Sequence, residues 1–210
     1  MILAFEGIDG CGKSAIINLL KERKFFENKG YEPVFVREPG GSPLAEKIRD
    51  IVLDKENTEI CDMTELLLFE ASRCQLISDV VAGAVEDGKV VIYDRFALTT
   101  ECYQGIVNHG DLEFIQSLHE RLLKQWRPDL YILLDVDPAT SLERSLKAGT
   151  NRLDARSVKL AEKRRNAYLK LAEQKSDTVK VVDANKDIEV VYSAVTKLLN
   201  NKLNINRVHN

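Results

Sequence analysis

The chain has 210 residues, 44% of them apolar and 30% charged, and a formal net charge of -3. That is enough chain for one well-buried domain and short for two, and the acidic balance argues against a nucleic-acid-binding surface as its main business. Cys11, Cys61, Cys74 and Cys102 form no C-x-x-C pair, so neither a zinc site nor a disulfide framework is suggested, and small thiols in a reducing cytosol are expected. The first apolar stretch is four residues long, so no signal peptide, membrane contact or spanning segment is expected, and a cytoplasmic location is.

Ile2–Phe5 reads as a short buried strand that runs into Gly7-Ile8-Asp9-Gly10-Cys11-Gly12-Lys13-Ser14. Gly7, Gly12, Lys13 and Ser14 fit the phosphate-loop pattern G-x-x-x-x-G-K-[ST]. Glycines let the backbone wrap close to an anion, so successive N–H groups can turn inward, and the following helix adds its positive end. Lys13 suits the β- and γ-phosphates of a nucleotide, and Ser14 suits Mg²⁺. Lys13 to about Glu27 reads as a helix stopped at Asn28-Lys29-Gly30, and Glu32–Val36 as a second strand.

That strand leads into Arg37-Glu38-Pro39-Gly40-Gly41-Ser42, with Ser42 and Pro43 as a helix cap and first helical position. Arg37 stands at a strand's carboxyl end, where open α/β sheets place ligands, so it is either an anion contact or a solvated side chain. Asp62-Met63-Thr64-Glu65 resembles a capping box, opening a helix to about Glu86. Phe69 and Arg73 share one face of it, as simple packing or as a stacking platform and hydrogen-bond fork for a planar base.

Lys89–Tyr93 is a third strand ending in Asp94-Arg95, and a carboxylate there fits a role in holding Mg²⁺, directly or through water. Thr99, Thr100, Tyr103 and Gln104 form a polar group. Asp111 caps a helix to about Gln125, with Trp126 as core. None of His109, His119 and His209 has a partner pattern suggesting catalysis or metal binding. Leu130–Leu134 is a fourth strand, and Asp137-Pro138 opens a helix running into Arg144-Ser-Leu-Lys147-Ala-Gly149-Thr150-Asn151-Arg152, a candidate mobile lid or a solvated loop. Ser157 to about Lys175 is a charged helix, Val179–Val182 a fifth strand and Asp187 to about Leu199 a last helix, leaving residues 200–210 as a polar, frayed tail. Strand and helix alternate throughout, so the expected fold is one doubly wound α/β domain over residues 1–199 with a parallel sheet.

Phosphate-loop domains serve switches, ATPases and small-molecule kinases alike, so further residues must decide function. The blocks Phe5–Ser14, Arg37-Glu38-Pro39-Gly40-Gly41, Asp94-Arg95-Phe96 and Tyr103-Gln104-Gly105 together resemble the thymidylate kinase family. Leu67-Leu68-Phe69 with Ser72-Arg73, and Arg127-Pro128-Asp129, look like the same family, and the likeness extends from Ile2 to about Val191. It implies a P-loop NTPase fold with a five-stranded parallel sheet, a lid at about residues 144–156 and transfer of the γ-phosphoryl of ATP to dTMP for dTTP synthesis, with Mg²⁺ as cofactor. It places the ATP phosphates on Gly7, Ile8, Asp9, Gly10, Cys11, Gly12, Lys13 and Ser14, and Mg²⁺ near Ser14 and Asp94. It puts Asp9 on the acceptor sugar, Arg37 and Arg95 on the acceptor phosphate, Phe69 and Arg73 on thymine, and Thr100, Tyr103 and Gln104 nearby. It also implies a homodimer, with the helix around Leu66–Val81 a candidate interface.

The phosphate loop carries no Arg, whereas the lid has Arg144, Lys147 and Arg152, which resembles the family type with basic lid residues. Arg152, with Arg144, is therefore expected at the transferring phosphoryl. Cys11, Ala15 and Phe96 depart from the common pattern, and so does Thr99-Thr100-Glu101-Cys102, where altered base or sugar contacts leave room for tolerance of dUMP. Another nucleoside monophosphate kinase and a non-catalytic nucleotide-binding paralogue are the alternatives. A guanine-reading switch is disfavoured because Asn185-Lys186-Asp187 lacks the N-K-x-D spacing.

Overall fold

A computed structural model describes residues 1–148, 152–153 and 157–208. Five strands, β1 (Ile2–Glu6), β2 (Pro33–Arg37), β3 (Val90–Asp94), β4 (Leu130–Asp135) and β5 (Val179–Asp183), form one sheet in the order β2-β3-β1-β4-β5. Every pairing is parallel. Parallel neighbours need crossovers long enough to lie on a sheet face, and the helices between the strands supply them. Both faces of the sheet are therefore covered, so successive strand residues enter different cores. Leu3, Phe5, Val90 and Ile92 pack into one cluster, and Ile2, Ala4, Val91 and Tyr93 into the other. Because β1 lies between the two halves of the chain, the carboxyl ends of β1, β3 and β2 open onto one crevice.

The helices are α1 (Lys13–Glu22), α2 (Pro43–Leu53), α3 (Asp62–Leu76), α4 (Ala82–Glu86), α5 (Ala97–Thr100), α6 (Leu112–Leu123), α7 (Pro138–Ala148), α8 (Val158–Gln174) and α9 (Ile188–Val208). Wide π-type turns at Ile77–Val81 and Glu101–Val107 join α3 to α4 and extend α5.

Several boundaries move from their sequence-based positions for local reasons. Helix α1 stops at Glu22, not near Glu27, because Phe25 and Phe26 turn into the core and Asn28 Nδ2 donates to Arg23 O at 3.0 Å. The expected capping box at Asp62–Glu65 does not form. Cys61 is the cap residue, and Glu65 is drawn inward to Gln104 and Arg152. Ser42 holds the extended backbone of a cap, but its hydroxyl donates to Asp79 Oδ2 at 2.7 Å. Asp111 and Asp137 do cap as expected, accepting from Phe114 N and from Ala139 N and Thr140 N. The last helix passes Leu199 and runs to Val208, with Leu203 buried against the first core, so the polar stretch is not a frayed tail over that length. Of the expected lid, Arg144 to Ala148 are the end of α7, and only 152–153 of the remainder lie within the described residues.

Candidate active site

The sharp turn after β1 needs glycine at its ends. Gly7 has φ +137°, and a side chain there would meet Leu134 O at 2.6 Å, while Gly12 at φ +101° delivers the chain into α1. Lys13 folds back across the loop. Its Nζ donates to Gly7 O at 2.9 Å and Ile8 O at 3.1 Å, and lies 3.4 Å from Cys11 Sγ. Ser141 Oγ donates to Asp9 O at 2.5 Å, which ties the loop to α7. Ser14 Oγ donates to Asp94 Oδ2 at 3.0 Å, so the loop hydroxyl and the β3 carboxylate meet as the sequence predicts. A hydroxyl and a carboxylate are hard oxygen donors, the set that suits Mg²⁺ rather than a thiophilic metal.

Beyond that pair opens a cavity of about 290 Å³. Asp9, Ser14, Arg37, Phe69, Arg73, Asp94, Arg95, Thr100, Tyr103 and Gln104 all line it, although they come from four separate stretches of chain. The buried Phe69 and Arg73, on adjacent turns of α3, face this space as well as the core. Arg95 has φ +69° at the end of β3, which swings its guanidinium back over the loop. Its Nη2 donates to Asp9 Oδ1 at 2.5 Å and its Nη1 to Gly7 O at 3.0 Å. Tyr103 OH donates to Asp9 Oδ2 at 3.2 Å. Burial alone would raise the Asp9 carboxyl, but Arg95, Lys13 and Arg164 together hold it below its ordinary range.

At the far end, Arg73 Nε donates to Glu38 Oε2 at 2.7 Å and Nη2 to Thr100 Oγ1 at 3.0 Å. Burial pushes the Glu38 carboxyl up to about 7 despite the adjacent Arg73. Its Oε1 is buried without a partner among the described residues. Gln104 Nε2 donates to Glu65 Oε1 at 2.8 Å, which turns the Gln104 amide toward that wall. Arg37 Nη2 donates to Glu46 Oε2 at 2.8 Å at the mouth.

Arg152 and Arg144, the lid cations expected at the transferring phosphoryl, meet other groups in this structure. Arg152 Nη2 donates to Glu65 Oε2 at 2.6 Å, and both Nη2 and Nε donate to Val52 O. Arg144 projects from α7, whose packing against Gly10 fixes its direction, into a separate cavity of about 230 Å³ with Cys11, Gly12, Ala15 and Lys186. It is therefore parted from the acceptor cavity by the loop itself.

Other residues of the site went unassigned in the sequence. Arg49, on α2, lines the cavity and donates to Pro39 O at 2.7 Å; burial, with the like charges of Arg37 and Arg95, lowers its basicity. Arg164, on α8, donates to Asp9 Oδ2 at 3.1 Å and Leu153 O at 2.5 Å, with its guanidinium 4.1 Å from the Tyr103 ring centre. The signal for Arg164 was available: it sits on the stripe Ala161–Arg164–Ala167–Tyr168–Leu171, otherwise apolar or aromatic and all buried. Glu6, fully buried, accepts from Phe96 N at 2.9 Å and Thr99 Oγ1 at 2.6 Å, stiffening the turn after β3, and burial raises its carboxyl.

A parallel sheet opening on a phosphate loop, with a serine–aspartate pair beside a cation-lined pocket, defines a P-loop protein built to bring a nucleotide's phosphates against a second ligand. The family model "Thymidylate kinase" matches residues 5–195. Thymidylate kinase of Fervidobacterium nodosum is 38% identical over 95% of this chain and 98% of its own length. That of Mycoplasma capricolum is 37% identical over 98% of this chain and 97% of its own length. The crystal structure of thymidylate kinase from Ehrlichia chaffeensis superposes with a TM-score of 0.76 at 27% identity, covering 95% of this chain and 98% of that one. The chain belongs to the thymidylate kinase family.

Proposed function

We propose that this protein transfers the γ-phosphoryl group of ATP to dTMP, giving dTDP and ADP on the route to dTTP. The observation that carries the reading is the gathering of base-, sugar- and phosphate-directed side chains in one cavity against the phosphate loop. Phe69 stacks on thymine, while Arg73, Thr100 and Gln104 read its edge. Asp9 and Tyr103 face the deoxyribose. Arg37, Arg49 and Arg95 surround the acceptor phosphate, where three guanidiniums near one another favour a dianion.

The ATP phosphates lie along Gly7 to Ser14 with Lys13 across them. Arg144 and Lys186 flank the donor base in the cavity beyond Gly12, so Arg144 is assigned there rather than to the transferring phosphoryl. Ser14 and Asp94 would hold Mg²⁺, which supplies charge neutralisation of the phosphates when bound. An ionised oxygen of dTMP forms the new bond to the γ-phosphorus as the bond to the β-phosphate oxygen breaks, and ADP departs with that electron pair. A phosphate monoester needs no general base at neutral pH, so the protein's part is alignment and charge compensation. Arg152 meets the transferring phosphoryl by exchanging Glu65 for phosphate oxygen, an exchange the guanidinium fork favours.

Apolar side chains about half exposed on α2 and α3, Leu44, Ile51, Met63 and Leu67 among them, support a homodimer through this pair of helices. No helix among the described residues is long and apolar enough to cross a membrane, and the unpaired cysteines support a reducing, cytoplasmic location. A coupled assay of ADP release with ATP, Mg²⁺ and a panel of nucleoside monophosphates tests the reaction. Turnover is expected with dTMP first and dUMP behind it. Preferred turnover of another acceptor, or none of dTMP, overturns the reading.

A further inference from the structure

Behind Arg73 lies a row of ionisable groups, most of them buried, that the proposed phosphoryl transfer does not use. Arg73 Nη1 donates to Glu70 Oε1, and His119 Nε2 lies 3.0 Å from the same oxygen. On its other side, His119 Nδ1 faces Glu101 Oε1 at 3.4 Å. Lys175 Nζ closes the row by donating to both Glu101 oxygens at 2.7 and 2.5 Å. Arg73, Glu70, His119 and Glu101 are each no more than 4% exposed. The row starts at the acceptor cavity, crosses from α3 to α6 and the π-type turn, and ends at a second cavity of about 480 Å³ lined by Glu101, His119 and Lys175.

An arginine side chain is long and rotamer-rich, but its guanidinium is a flat fork whose plane is fixed once different edges are held. Glu38 holds Nε, Thr100 holds Nη2 and Glu70 holds Nη1. Three of five N–H groups are thereby fixed, and the plane that faces the cavity is set by protein groups before any ligand arrives. Glu70 in turn has little freedom, because His119 meets the oxygen that holds Arg73. Burial by itself would raise the Glu70 carboxyl, but the charge of Arg73 and the hydrogen bond from His119 outweigh it and hold the group down to about 2.

We propose that Glu70 and His119 are positioning residues for acceptor recognition: His119 fixes Glu70, and Glu70 fixes the plane in which Arg73 presents its N–H groups to the acceptor base. A fixed donor edge donates to a ring carbonyl and leaves an exocyclic amino group facing another donor, so it favours thymine or uracil over cytosine. The inference rests on the reading of Arg73 as a base contact.

The test is steady-state kinetics of the full chain with Glu70→Gln, His119→Ala, His119→Gln and Arg73→Lys, with thermal unfolding of each. Glu70→Gln is isosteric and serves if His119→Ala does not fold. Loss of one charge-assisted hydrogen bond predicts a rise in KM for dTMP of about tenfold in Glu70→Gln and His119→Ala. In the same variants kcat and KM for ATP are expected to stay within about twofold, and the preference for dTMP over dCMP to shrink. His119→Gln, which restores an N–H toward Glu70, should recover most of the loss. If Arg73→Lys raises KM for dTMP while Glu70→Gln and His119→Ala leave it unchanged, the positioning role is wrong and the base contact stands. If Arg73→Lys itself leaves KM for dTMP and the dCMP preference unchanged, the base contact fails and the inference falls with it. A parallel fall in kcat, ATP affinity and melting temperature would show a merely structural network and would also overturn it.

Discussion

The donor and acceptor halves of the site are built in opposite ways. On the proposed reading the donor half is one contiguous loop, Gly7 to Ser14, whose backbone N–H groups suit phosphate oxygens, with Lys13 folded across it. The acceptor half is assembled from side chains on several separate stretches of chain and held by ion pairs, the buried Arg73 with Glu38 and Glu70, and the half-buried Arg95 with Asp9. A backbone cradle binds any triphosphate in much the same way. Side chains fixed by one another discriminate, because a ligand group that fails to match them leaves buried polar atoms unpaired. On the proposed reading, catalysis belongs mainly to the loop and choice of substrate to the cavity beyond it.

The largest expected effect breaks the donor half. Lys13→Ala removes the cation across the phosphates, and kcat should fall about 10³-fold, read in the ADP-release assay. Arg95→Ala touches both halves, since Arg95 holds Gly7 O and Asp9 together; kcat/KM for dTMP should fall about 10²-fold, with a lower melting temperature because Asp9 loses its closest partner. Arg152→Ala should lower kcat about tenfold in single-turnover experiments. A kcat within about twofold of the unaltered protein would place Arg152 in holding Glu65 and Val52 only.

A smaller effect is a matter of pH. The Glu38 carboxyl is raised to about 7, so between its ordinary range and pH 7 the folded state holds a proton that the unfolded state has lost. The stability this contributes is complete below the unfolded pKa and is lost as pH rises through about 7. Glu38→Gln should remove that part of the slope of stability against pH, measured by denaturant unfolding from pH 5 to 8. An unchanged slope would mean that Glu38 is already ionised at the low end.

How much could be read beforehand follows the same division. The phosphate loop, the β3 carboxylate and the parallel sheet were legible because each is a local pattern: a spacing, a strand end, an alternation of strand and helix. Arg37, Phe69, Arg73, Tyr103 and Gln104 are candidate acceptor contacts through family likeness and share one cavity, but spacing alone leaves Phe69 and Arg73 open between packing and recognition. What escaped were charged residues whose partners are distant in sequence. Glu70 and Arg73 share the buried stripe of α3 with Leu66, Phe69 and Leu76, and His119 reaches Glu70 from 49 residues beyond it and is itself met by Glu101, 31 residues beyond Glu70. A charge on an apolar helix stripe is a visible anomaly, but its partner is set by tertiary packing. Arg152 and Arg144 are close in sequence, yet Arg144 leaves the end of α7 for the cavity beyond Gly12 while Arg152 meets Glu65 and Val52.

The most direct test of the division between halves is the ratio of kcat/KM for dTMP to that for dCMP, measured in Lys13→Ala and in Arg73→Lys beside the unaltered protein. Lys13→Ala is predicted to lower both values by the same factor and leave the ratio unchanged, whereas Arg73→Lys lowers the ratio with little effect on KM for ATP. A ratio shifted by Lys13→Ala, or untouched by Arg73→Lys, would contradict the assignment of catalysis to the loop and selection to the cavity.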